Sequence, residues 1–217
     1  MTFFNNTNPP PAQNEKYIAI LTAAFKVFAR EGLHRGKIAD VAKEAGVGKG
    51  TVYEYFRSKE DIFTAILNQF FDQIQWGLET VNQQALPADQ KVARLLEVNL
   101  DWFKTTTPEE ALIITEIWAQ GLRSFHTTEP DDAMIHRYRA IQEMMMSILE
   151  QGVAEGIFRP VDSETLALLL MATLDGLGLH FLINQTMDIE KLKAVTRRAF
   201  LEGILVRDDT QPPGEGP

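Results

Sequence analysis

Apolar residues recur at spacings of three and four along almost the whole chain, while the every-second-residue alternation of a half-buried strand is weak throughout. This periodicity constrains the fold more than any other feature, because it puts side chains on one face of a helix and on both faces of a strand. Ile18, Leu21, Phe25 and Phe28 mark a first helix, with Gly32 suited to its end. Ile38, Val41, Ala42 and Ala45 mark a short second helix closed by Gly46, and Thr51 to Phe56 a third with Val52 and Phe56 facing inward. Ser58 suits the cap of a fourth, with Glu60 and Asp61 in the first turn, where the helix dipole favours acids. Beyond Leu86-Pro87 five more helices are expected, over about 88–105, 108–124, 130–156, 162–184 and 188–206. Nine helices and no sheet make an all-α fold.

Charge divides this fold. The net charge is −9, yet residues 1–60 carry +3 and residues 61–217 carry −12. A basic head on an acidic body points the head at a polyanion. The chain has no cysteine, which excludes disulfides and thiolate metal sites. The opening "MTFFNNTNPPPAQNEK" lacks the basic and apolar blocks of a signal peptide and reads as a disordered arm; "DDTQPPGEGP" reads as a disordered tail. A cytoplasmic location is expected.

The stretch "KIADVAKEAGVGKGTVYEYF" has the layout of a helix-turn-helix. Gly46 supplies the left-handed residue between two helices, and Val47 plugs their angle. With Val52 and Phe56 inward, a 100° step per residue turns Gly50, Thr51 and Glu54 outward, with Lys49, Tyr53 and Tyr55 on the flanks. A recognition helix needs this arrangement: small residues at its start for close approach, and polar groups that reach base edges. Thr51 offers a hydroxyl or a methyl, Glu54 can accept from a cytosine amino group, and Lys49, Tyr53, Tyr55 and Lys59 suit phosphates.

The blocks "AILTAAFKVFAREGL" and "IADVAKEAGVGKGTVYEYFRSKEDIF" resemble the tetracycline-repressor (TetR) family of bacterial transcription regulators over about residues 15–65. The resemblance implies an all-helical homodimer. Each subunit would carry a three-helix DNA-binding head (15–61) and a larger effector-binding and dimerisation domain (62–206), flanked by the arm (1–14) and the tail (207–217). It also implies a repressor that leaves a palindromic double-stranded operator when a small molecule binds. By position, Lys49, Gly50, Thr51, Tyr53, Tyr55 and Lys59 fall where family members commonly meet DNA. One departure stands out. The family often begins its second helix with Ser or Thr, whereas "HRGKIADVA" places Lys37 there after Gly36. A weaker cap is expected, with Arg35 and Lys37 supplying charge in place of a hydroxyl contact.

For the effector pocket the candidates are Trp102, Trp118, Phe125, Met145 and Phe181, apolar groups suited to an adaptable cavity, with the acids Glu116 and Asp175 placed to meet a cationic ligand. The run Thr165–Ile183 approaches the length of a membrane span, but Asp175 and His180 interrupt it and no second span exists. Burial between subunits is expected instead, with the homodimer formed through helices at about 162–184 and 188–206. Asp132 and His136 have a spacing that suits two metal ligands, though it more often makes a surface hydrogen bond. No H-E-x-x-H, G-x-x-x-x-G-K or nucleophile elbow marks an enzyme. No metal, cofactor or catalytic residue is expected. The alternatives from other classes are a helical protein-interaction module and a helical enzyme.

Overall fold

The computed structural model describes residues 15–105, 107, 111–113, 115–116, 119, 132–184 and 186–206. Eight helices are complete in it: α1 (Glu15–Glu31), α2 (Ile38–Glu44), α3 (Lys49–Tyr55), α4 (Lys59–Asn82), α5 (Ala88–Thr105), α6 (Asp132–Ala154), α7 (Ser163–Ile183) and α8 (Ile189–Ile204). Of the helix expected over 108–124, residues 111–113, 115–116 and 119 are helical and the remainder lies outside the described residues. The arm and the tail lie outside them as well.

Two cores share α4. The head core joins Ile20, Leu21, Phe25 and Phe28 of α1 to Val41, Val52 and Phe56, and takes in Ile62, Phe63 and Ile66 from the start of α4. The body core begins at Phe71 and runs through Leu78 and Val81 into Leu95, Leu96, Ile148, Leu149, Leu170 and Leu201. Leu67 and Phe70 touch both. One helix thus enters the head with its first two turns and the body with the rest. Each core lies along one stripe of α4, as an amphipathic helix requires.

Local chemistry fixes the helix ends. Ser58 accepts a hydrogen bond from the Asp61 amide at 3.0 Å and starts α4. Asp162 and Asp188 do the same for α7 and α8, through Thr165 and Lys191. The third helix begins two residues before its expected start, because extended Gly48 (φ −71°, ψ 150°) is its N-cap. It ends at Tyr55, where Phe56 turns out of helical geometry and its side chain joins the core. The α6 helix ends before its expected limit for a similar reason. The chain reverses so that Phe158 packs over Gly152, and Phe158 then pairs with Leu205 as an isolated antiparallel bridge.

At the far end of the body Lys91 is buried. Its ammonium donates to the Asn82 carbonyl at 2.6 Å and to Gln151 Oε1 at 2.9 Å, while Glu155 accepts from the Ala88 amide at 3.1 Å. The network ties together the ends of α4, α5 and α6 and satisfies a cation that would otherwise be costly to bury.

Burial of the α7 helix between subunits is the expectation from its sequence. In the single subunit only one side is covered: Ala167, Leu170, Met171 and Phe181 face the core, while Leu168, Leu169, Leu179 and Ile183 face outward.

Candidate nucleic-acid interface

The α2–α3 pair is set by its turn. Gly46 has φ +68°, a left-handed conformation that costs an L side chain about 1–2 kcal/mol. The Val47 amide then closes back on the Ala42 carbonyl at 3.0 Å, and its half-buried side chain packs on the head core. Val52 is fully buried and holds α3 by its inner face.

What remains outside is the face expected to read DNA. Gly50 and Glu54 are exposed and Thr51 is half-buried. A Cβ at Gly50 would meet nothing within 4 Å, and its φ is not left-handed, so internal packing does not require a glycine there. Close approach by another molecule supplies a reason for it. Tyr53 is 47 % exposed, and the Lys49 ammonium lies 5.7 Å from the centre of its ring, a cation–π contact between neighbours one turn apart. The first turn of α3 holds no acid to repel phosphate.

The other expected contacts are more engaged with the protein. Tyr55 is half-buried and meets Tyr17 edge-on at 6.3 Å, while Tyr17 stacks on Phe56 at 5.1 Å. Arg35 donates to the Glu31 carbonyl at 3.0 Å, and Lys59 to the His34 carbonyl at 3.0 Å. Lys37 is exposed and stands at the N-cap of α2 without a side-chain cap bond.

Comparison with known proteins decides what this surface belongs to. Residues 20–66 match the family described as bacterial regulatory proteins, tetR family, and residues 88–206 match the C-terminal domain of BetI-type transcriptional repressors. The chain belongs to the TetR family. It is a DNA-binding transcriptional regulator, in a family whose members repress from operator DNA and release it when an effector binds. This regulator is 25 % identical over 191 residues to the fatty acid metabolism regulator protein of Bacillus subtilis, covering 87 % of this chain and 95 % of that one. Its fold is similar to that of FadR from Bacillus subtilis in complex with stearoyl-CoA (TM-score 0.69, 22 % identity, 87 % and 99 % covered). It is also similar to a putative transcriptional regulator from Saccharomonospora viridis in complex with choline (TM-score 0.70, 25 % identity, 90 % and 100 % covered).

In the body of this TetR-family regulator the expected effector residues are scattered. Trp102 packs, half-buried, on a small cluster formed by Leu100, Ala111 and Phe181. Met145 is 5 % exposed and belongs to the main core between α4, α5 and α6. Asp175 is exposed and accepts the Tyr138 hydroxyl at 2.8 Å. Solvent reaches this residue, yet burial around the carboxyl pushes its pKa above the usual range, against the Tyr138 hydrogen bond, which lowers it. Tyr138 is pushed up by its own burial and by the Asp175 charge. Glu116 is half-buried, while Trp118 and Phe125 lie outside the described residues.

Clefts among the described residues include two that none of these groups lines. One of about 590 Å³ lies beside Leu86, Lys91, Gln151 and Glu155; the other, about 260 Å³, lies between Tyr17, Asp61, Asn68 and Asp72. Neither the Lys91 network nor the Tyr138–Asp175 bond is foreshadowed by residue spacing. The Lys91–Gln151 and Tyr138–Asp175 bonds join residues 60 and 37 positions apart and leave no periodic trace.

Proposed function

We propose that two copies of this chain pair through α7 and α8 and seat their α3 helices in successive major grooves of a roughly palindromic operator. Gly50, Thr51 and Glu54 face the base edges; Lys49, Tyr53 and Lys37 face phosphates, with Tyr55 at the rim. The observation that carries this reading is the outer face of α3. It is polar, fronted by a glycine that packing does not demand, and backed by the fully buried Val52.

The apolar outer face of α7 supports the pairing. Leu169, Leu179 and Ile183 are 54, 55 and 75 % exposed, and Val195 of α8 is 56 % exposed. A patch of this kind on a water-soluble chain marks an interface. The length and mean hydropathy of α7 (1.9) would also suit a membrane span. In a family of soluble, dimerising, cytoplasmic regulators, a second copy accounts for the face without a membrane.

Successive major grooves on one side of a duplex lie about 34–36 Å apart, so only a dimer that holds its α3 helices near that spacing binds well. The shared helix α4 carries a change in the body to the head. A small-molecule effector preferring a body state with a different spacing releases the operator, and a swing from 1:99 to 99:1 takes about 5.5 kcal/mol of differential binding. The Trp102–Phe181 cluster and the neighbouring Asp175 are the proposed contacts for that effector.

The test is selection of bound duplexes from a random pool, followed by challenge of the enriched site with stearoyl-CoA, choline and a metabolite library. Enrichment of a palindrome and its release by a compound that also raises the melting temperature supports the reading. Selection that yields no enriched sequence overturns it.

A further inference from the structure

We propose that Glu54 sets the selectivity of the head by exclusion: its carboxylate accepts a cytosine amino group at one position of each half-site, rejects the other bases there, and lowers affinity for any duplex without that cytosine. This deepens, and rests on, the reading of the outer face of α3 as the base-facing surface.

The acids of the head show why Glu54 stands apart. Residues 15–61 hold seven of them. Glu15, Asp40, Glu60 and Asp61 stand in the first turns of α1, α2 and α4, where the positive end of the helix dipole favours them. Glu31 pairs with Arg30 at 3.1 Å and Glu44 with Lys26 at 3.8 Å. Glu54 has neither kind of support. It is the last residue but one of α3, at the negative end of the dipole, with no basic residue in that turn. It is exposed, and among the described residues no ion pair or hydrogen bond engages its carboxylate. The single cation of α3, Lys49, lies over the Tyr53 ring instead. The charge therefore opposes the local helix and serves no contact within the head.

Its surroundings aim it outward. Gly50 and Thr51 lie one turn before it on the same face, and a Cβ at Gly50 would meet nothing, so the stripe leading to Glu54 is clear for close approach. An ionised carboxylate only accepts hydrogen bonds. Phosphates repel it. In the major groove guanine offers it acceptors at N7 and O6, thymine an acceptor at O4, and adenine an amino group beside the N7 acceptor. Cytosine alone presents an amino donor with no acceptor next to it. A carboxylate on this face is thus a poor partner for duplex DNA in general and a good one for cytosine. Basic contacts elsewhere on the head hold any duplex, while Glu54 penalises the wrong ones.

The experiment uses full-length wild type, Glu54→Ala and Glu54→Gln. Each selects duplexes from a random pool and is then titrated by fluorescence anisotropy against the wild-type site, that site with the cytosine replaced in both half-sites, and a random duplex. Wild type enriches a cytosine at one position of each half-site, and replacing it weakens binding about thirtyfold or more, the scale of one mismatched base pair per half-site. Glu54→Ala enriches no base at that position. Glu54→Gln moves the preference to adenine, whose N6 and N7 together suit an amide. Both variants bind the random duplex about three- to tenfold more tightly than wild type, the scale of two unit-charge repulsions across water in a symmetric dimer. Both melt at the wild-type temperature or above it, because the acid opposes the dipole of α3. Variants that select the wild-type bases at every position overturn the proposal, as does random-duplex binding that stays level or weakens. A lower melting temperature in both variants gives the charge a structural role and overturns it too. A wild type that enriches no sequence overturns it together with the reading of the head, whereas an enriched site that the variants share overturns it alone.

Discussion

The Arg137 guanidinium bonds the Asp72 carboxylate and ties α6 to the middle of α4, one residue past the point where α4 enters the body core at Phe71. The next residue along α6, Tyr138, reaches the other way to Asp175 of α7. A single step along α6 thus touches both the helix that carries the head and the helix whose outer face is apolar and exposed.

That geometry makes the Asp72–Arg137 pair part of how body and head keep their relative position. Asp72→Asn and Arg137→Gln should each shift operator affinity, in the same direction, by about two- to fivefold, the scale of a partly exposed ion pair at 0.2–1 kcal/mol. The charge swap Asp72→Arg with Arg137→Asp should restore it. Neither residue lies on the DNA face, so the salt slope should stay at its wild-type value. A swap that binds no better than the single variants would show the pair to be idle.

Asp175 predicts a pH dependence. Its carboxyl is raised in the folded state, so between the ordinary carboxylate range and the raised value the native protein holds a proton that the unfolded chain has released. Stability then falls as pH rises through that window, because the slope of unfolding free energy with pH follows protons bound by the unfolded state minus those bound by the native state. Asp175→Asn keeps an acceptor for Tyr138 and removes the ionisation. The variant should melt higher than wild type at pH 7, with the difference vanishing at pH 3. Equal melting temperatures at pH 7 would contradict the sign.

Gly152 sits beneath Phe158, where an added Cβ would fall 2.1 Å from the ring. Phe158 is almost wholly buried and leads into the bridge to Leu205, so neither backbone nor ring can retreat easily. Gly152→Ala should cost about 3 kcal/mol, at the upper end of overpacking penalties. At about 2–4 °C per kcal/mol for a chain of this size, calorimetry should record a melting point about 6–12 °C lower. A change within 1 °C would mean the ring moves freely.

The contrast between Gly46 and Gly152 shows where sequence reasoning reached and where it stopped. Gly46 was legible as a helix stop because a glycine between two short amphipathic segments has a local cause, and Val52 and Phe56 followed from a 100° step. Gly152 has no such local cause, since Phe158 folds back over it only in three dimensions. The same holds for Lys59, expected at a phosphate with no sign of its bond to the His34 carbonyl, and for Lys91, whose charge gave no hint of burial. The all-α class and the recognition helix rest on periodic, local signals. The contacts joining head, α4 and body are single tertiary pairs, for which spacing carries no information.

The exposed faces of α7 and α8 carry a prediction about assembly. Leu179→Glu puts a charge in the middle of the proposed interface without touching the head, and should yield a folded monomer by analytical ultracentrifugation. Two linked half-sites gain about 10²–10⁴-fold over one, so operator affinity should drop by about 100-fold or more while binding to a single half-site is unchanged. A variant that remains dimeric would move the interface elsewhere.

Lys37 brings stability and binding into opposition. As N-cap of α2 it leaves the helix without a side-chain acceptor, where serine would satisfy an amide of the first turn. Lys37→Ser should therefore stabilise the head by about 0.5–2 kcal/mol, read as increased protection of the α2 amides from hydrogen exchange. The same change removes the exposed cation at the mouth of the DNA-facing surface from both subunits, so the slope of log K against log salt should fall by about 1.8, about 0.9 for each. Increased protection with an unchanged slope would mean that Lys37 never reaches a phosphate. A lower slope without increased protection would mean that α2 starts are satisfied by water, and that the departure from a hydroxyl carries no stability cost.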